Sequence, residues 1–138
     1  MGKKGMLRLL MASVACTLLL AACGSDKGPM TDEQRASAVA KSCYEALYDD
    51  AARLFLDGRI HAAEMPQSYR EQLLAAYHQH VKQVNSEHQG VEKVEVSKAE
   101  RDTTLQLIQV FLVLSYGDGT REEIVVPMVE HKGRWLMK

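Results

Sequence analysis

The chain has 138 residues, 46% of them hydrophobic and 25% charged, which fits one globular domain and excludes a disordered, collagen-like or polytopic membrane protein. Its formal net charge is −1, and setting aside Lys3, Lys4 and Arg8 of the N-terminal segment leaves 14 basic against 18 acidic residues, net −4. That balance argues against a nucleic-acid partner, which would show a basic stripe.

Residues 1–22 place three basic residues ahead of the apolar run Leu9 to Ala22, 14 residues long. A spanning helix needs roughly 18 or more, so the run reads as the apolar region of a secretory signal peptide. Leu20-Ala21-Ala22-Cys23-Gly24 then resembles a bacterial lipobox, in which the cysteine thiol carries diacylglycerol and becomes the new N-terminus. Acyl chains such as palmitate on Cys23 would hold the protein to a lipid bilayer, each buried CH₂ contributing about 0.8 kcal/mol. Gly24 follows the cysteine where an inner-membrane retention signal would have Asp, so the outer membrane is expected, facing the periplasm or the surface. Of three cysteines only Cys43 then remains as a thiol, on an apolar helix stripe, and no intrachain disulfide is expected.

Residues 23–30 form the lipidated cysteine and a tether, and residues 31–138 form the domain. Thr31-Asp-Glu-Gln34 has the form of a capping box, opening a helix whose apolar positions Ala36, Val39, Ala40, Cys43, Leu47, Ala51 and Leu54 predict one long element running toward Gly58. A second box, Ser68-Tyr-Arg-Glu71, opens another helix with Tyr69, Leu73, Tyr77, Val81 and Val84 on one face, ending near Gly90. Between them, Arg59 to Met65 reads equally as helix or loop.

Beyond Gly90 the period changes to two. Val91 to Lys98, Thr103 to Tyr116, Glu122 to His131 and Trp135 to Lys138 are candidate strands, with turns at Gly117-Asp118-Gly119 and His131-Lys132-Gly133. The plan is α+β: a long N-terminal helix and a second helix packed on a curved antiparallel sheet of three to four strands.

Gly90-Val91-Glu-Lys-Val-Glu-Val96, Tyr116-Gly-Asp-Gly-Thr120, Val126-Pro-Met-Val129, Lys132-Gly-Arg-Trp-Leu136 and the Pro66 to Leu73 helix start resemble small bacterial lipoprotein domains of unknown function in the cystatin-like, or nuclear-transport-factor-2-like, superfamily. The resemblance implies a long helix curled into a bent sheet, a cone, and carries over no catalytic residue. Some superfamily members are isomerases or dehydratases with acid and Tyr or His groups in the cone. Tyr44, Tyr48 and Tyr77 could line such a pocket here, but the strands offer almost no acid on their apolar faces, and Asp102 reads as part of a charged turn.

No cofactor or metal is expected. His78 and His80 lie about 200° apart on a helix and cannot grip one ion together. Enzyme motifs are absent from the sequence, so a non-catalytic ligand- or protein-binding domain is expected, with a pocket enzyme as the alternative.

The long strand places Ile108, Val110, Leu112, Leu114 and Tyr116 on one face and Leu107, Phe111 and Val113 on the other. That second face is too apolar for open solvent, and both faces of the next strand are apolar whichever register the Asp118-Gly119 turn sets. An interface with a second copy or a protein partner is expected there, unless the C-terminal strand or Arg59 to Met65 covers it. The anchor itself is directly testable: Cys23→Ser should abolish acyl labelling, and normal processing with unchanged membrane retention would contradict the lipobox reading.

Overall fold

The computed structural model describes residues 28–138, so the signal segment 1–22 and Cys23 lie outside the described residues. Helix α1, Asp32–Tyr48, starts where the sequence places it: the Thr31 hydroxyl accepts from the Gln34 N–H while the Gln34 side chain accepts from the Thr31 N–H. Two of the orphan donors of the first turn are thereby satisfied.

The predicted single long helix breaks after Tyr48. Asp49 caps α1 and Asp50 adopts a left-handed conformation, φ 61°, before α2, Ala52–Asp57, resumes. Two acidic residues at a helix C-terminus oppose its dipole, and Asp enters the left-handed region more readily than most residues. The break turns Leu54 outward, 63% exposed, although the helical spacing had assigned it to the core.

Arg59 to Met65 divides into two parts. Gly58 to Ile60 runs beside the last strand, with the Met137 N–H donating to Gly58 O at 2.8 Å and the Ile60 N–H to Met137 O at 2.7 Å. Ala62–Glu64 is then a single 3-10 turn. Helix α3, Gln67–His88, starts one residue before Ser68, with Pro66 as its cap and no side-chain cap bond, so the second capping box does not form. Arg70 fastens this end instead, donating to Ala62 O and to Asp57, each at 2.7 Å. Val84 is the buried residue of α3, and Tyr69, expected on the buried face, is exposed.

The sheet is an antiparallel meander of β1 (Val91–Asp102), β2 (Leu107–Tyr116), β3 (Arg121–His131) and β4 (Arg134–Met137), in that order. Strand β1 runs four residues longer than the sequence suggests. Asp102 is its last residue, and its carboxylate accepts from the Leu105 N–H to close the turn that Thr103 and Thr104 were expected to continue as strand. Register shifts near Glu92 and Ser97 bend β1, as extra residues in one strand of a pair do. Pairing Ser115 with Arg121 across the Asp118 turn places Ile124, Val126 and Met128 opposite Leu112, Val110 and Ile108 on the inner face. Lys132 and Gly133, φ 52° and 78°, make the two-residue turn into β4.

Helix α1 crosses the inner face and touches all four strands. Ala36, Ala40, Cys43 and Leu47 meet the fully buried row Ile108, Val110, Leu112 and Leu114, with Val126, Met128 and Met137 alongside. Cys43 sits against Gly58 so closely that a Cβ on Gly58 would lie 2.5 Å from its sulfur. Gly58→Ala should therefore destabilise the domain by about 1–3 kcal/mol through overpacking. Cys43→Ala in the same chain should recover part of that loss in denaturant melts, whereas strictly additive effects would contradict the contact.

Candidate functional site

The three tyrosines come together only in part. Tyr44 (α1), Phe55 (α2) and Tyr77 (α3) form a column of edge-to-face rings, each successive pair 5.0 Å between centroids, which fills the wedge between the helices. The Arg59 guanidinium donates to the Tyr77 hydroxyl at 3.0 Å. Burial pushes the Tyr44 hydroxyl above its ordinary pKa. Tyr48, one turn on, leaves the column and stands at the mouth of the cone, its hydroxyl 3.0 Å from His80 Nε2. It also lines an open cleft of about 610 Å³ between α1 and the start of β1, among Lys41, Glu45, Asp49 and Lys93.

The mouth holds groups that sequence reasoning missed. Glu122 lies opposite Leu114, hence on the inner face, and accepts a 2.5 Å hydrogen bond from Tyr116. The inner face thus carries one carboxylate, and that one is exposed at its rim. His88 stacks on the Tyr116 ring, centroids 4.5 Å apart, and its Nδ1 lies 3.0 Å from the Asp118 carboxylate. His80, Val84 and His88 recur every four residues and share one helix face. Pairing His80 with His78 hid that signal; pairing it with His88 across the buried Val84 exposes it.

These groups are tuned to hold one another. Tyr116 is pushed up to about 12, first by burial and then by the Glu122 bond, and burial raises Tyr48 as well, with Tyr116, Tyr44 and Glu122 adding to the effect. Asp118 is lowered to about 2 by the Thr120 hydroxyl and N–H, then by His88. The tyrosines therefore stay protonated, Tyr116 as a donor to Glu122, and Asp118 stays an ionised acceptor of the His88 Nδ1–H hydrogen bond. The arrangement ties α3 to α1 and to the β2–β3 turn.

On the outer face, Phe111 and Val113 are half-buried, and Val125, paired with Phe111, is 48% exposed. The Lys98 ammonium sits 4.6 Å from the Phe111 ring centroid. Leu107, expected on the same face, is only 4% exposed, so Phe111, Val113 and Val125 form the open part. The Cys43 thiol is buried and raised by desolvation. Among the described residues no cluster of three or more His, Cys, Asp or Glu is placed to hold a metal ion, and no helix is long and apolar enough to cross a membrane.

No family model matches the chain, and no curated protein sequence does. Among solved structures, a Campylobacter jejuni protein provisionally named an NTF2-like transpeptidase superposes with a TM-score of 0.57 at 9% identity, over 72% of this chain and 94% of that one. The described domain therefore has the nuclear-transport-factor-2-like fold, helices packed on a four-stranded antiparallel sheet. At that identity the likeness speaks for the fold alone.

The turn cluster makes a pH prediction. Asp118 is more acidic folded than unfolded, so its contribution to stability is full above about pH 4 and is lost as the pH falls toward 2. Tyr116 has the opposite sign: its contribution is full below about pH 10 and is lost as the pH rises toward 12. Asp118→Asn should flatten the acid limb of a melting-temperature profile and leave the alkaline limb unchanged; an unaltered acid limb would contradict the assignment.

Proposed function

We propose that the chain is a bacterial lipoprotein, held to the outer membrane by acylated Cys23, whose domain binds a ligand or protein partner without chemistry. The observation that carries the binding reading is the ring column of Tyr44, Phe55 and Tyr77, which occupies the space a substrate would need between the helices. The open apolar strip of Phe111, Val113 and Val125 on the opposite face supplies a surface for a second copy or a protein partner. The lipobox, Leu20 to Cys23, supports the anchor.

The alternative, an isomerase or dehydratase, has Glu122 at the mouth in its favour. Tyr116 already donates to that carboxylate, which occupies a lone pair that a general base would need for the substrate proton. The transpeptidase name of the Campylobacter jejuni protein gains no support from Cys43, whose burial favours the neutral thiol over a thiolate.

Phe111→Asp in the full detergent-solubilised chain tests the binding surface. Sedimentation should show the wild type as a dimer or larger complex and the variant as a smaller particle with unchanged melting. A wild-type monomer unaffected by the substitution, or a variant that unfolds, would contradict an interface at Phe111.

A further inference from the structure

An apolar groove of about 570 Å³ lies between α1, α2 and the β3–β4 turn, apart from both the mouth and the outer sheet strip. Val39 and Trp135 lie along it, and two long apolar side chains border it in the open, Met30 at 51% and Leu54 at 63% exposure. Arg134 supplies a guanidinium group at the same groove, and Arg35, which pairs with Asp32 through one terminal nitrogen, has further N–H donors there. Its one carboxylate, Asp57, is already engaged by Arg70 at 2.7 Å. Two exposed apolar side chains beside two arginines match a phospholipid, whose acyl boundary is apolar and whose phosphodiester is anionic.

The position of the groove in the chain names the occupant. Met30 is seven residues after Cys23, a reach of at most about 25 Å even when fully extended. A bilayer that holds acyl chains on Cys23 is thus kept close to this face, since the groove begins at the root of the tether.

We propose that this groove is the face on which the domain rests on the bilayer, with Met30 and Leu54 at the acyl boundary and Arg35 and Arg134 on phospholipid phosphates. The inference rests on the anchored reading above and adds an orientation to it: the tether does not leave the domain free to tumble over the membrane.

Trp135 is the sole tryptophan of the chain and lines the groove, so its emission reports on this face directly. The acylated full-length mature protein is reconstituted into vesicles of phosphatidylethanolamine and phosphatidylglycerol, with or without bromine on the acyl chains. Trp135 is already buried, 9% exposed, so its emission wavelength should change little on reconstitution, but it should be quenched in the brominated vesicles. Met30→Asp with Leu54→Asp, both at exposed positions, should abolish the quenching while the protein still floats with the vesicles. Quenching that survives in the double variant overturns the proposal. So does a vesicle-bound wild type without quenching, which leaves the anchor standing. Wild-type Trp135 that becomes shielded from a water-soluble quencher with rising protein concentration, in detergent and without vesicles, means a second copy fills the groove and also overturns it. Absence of acyl mass on Cys23 removes the anchored reading and this inference together.

Discussion

The contact between the small-residue stripe of α1 and the inner row of β2 determines where every other element can sit. Ala36 and Ala40 are completely buried, and their lack of bulk lets the helix backbone approach Ile108, Val110, Leu112 and Leu114 closely. Burial of that row contributes about 1.5–3 kcal/mol per large side chain, an upper estimate because denatured chains already bury some apolar surface. With α1 fixed across the sheet, α2 returns along it and Gly58 seats against Cys43. The backbone after Gly58 is then directed onto the edge of β4, where it pairs with Met137 and covers strand groups that would otherwise be free to pair with another chain.

Helix α3 is attached by a different kind of force. Its fully covered surface is small: Val84 is buried, Leu74, Tyr77 and Val81 pack partly on the core, and polar contacts add to these, Arg70 to Asp57 at its start, Tyr77 to Arg59, His80 to Tyr48 at its middle and His88 to Asp118 at its end. Such exposed or half-exposed bonds are individually weak, because water competes for the same groups. The domain is therefore a stiff α1–sheet unit carrying a helix that opens at lower cost. The polar groups at the mouth bind one another and brace α3 against α1 and the β2–β3 turn.

Much of the architecture was legible because its determinants are local. The Thr31 capping box, the shift from helical to strand period after Gly90, and the Gly117-Asp118-Gly119 turn each act over a few residues. The alternation of Ile108, Val110, Leu112 and Leu114 placed them on one face, and the family resemblance, not the alternation, implied that this face is the helix-covered one, as it is. The errors arose where tertiary geometry decided. The apolar spacing through Leu54 favoured one unbroken helix, but the Asp49-Asp50 pair ends it, and the break leaves Leu54 outside. Ser68 had the spacing of a cap but lies within a helix that Pro66 already starts. Glu122 could be placed on the inner face only once the hairpin register was known, and Leu107 could be seen as buried only in three dimensions. The His80–His88 face was visible in the sequence, but what it binds, Tyr48 and Asp118, lies 32 and 30 residues away.

Native-state hydrogen exchange on the full chain tests the division between stiff unit and attached helix most directly. The account predicts that amides of Val110 to Leu114 and of the Ala36–Leu47 stretch of α1 exchange only through global unfolding. Amides in the middle of α3, around Leu74 to Val81, should exchange through a local opening of clearly lower free energy. Equal protection across α3 and β2 would contradict the account.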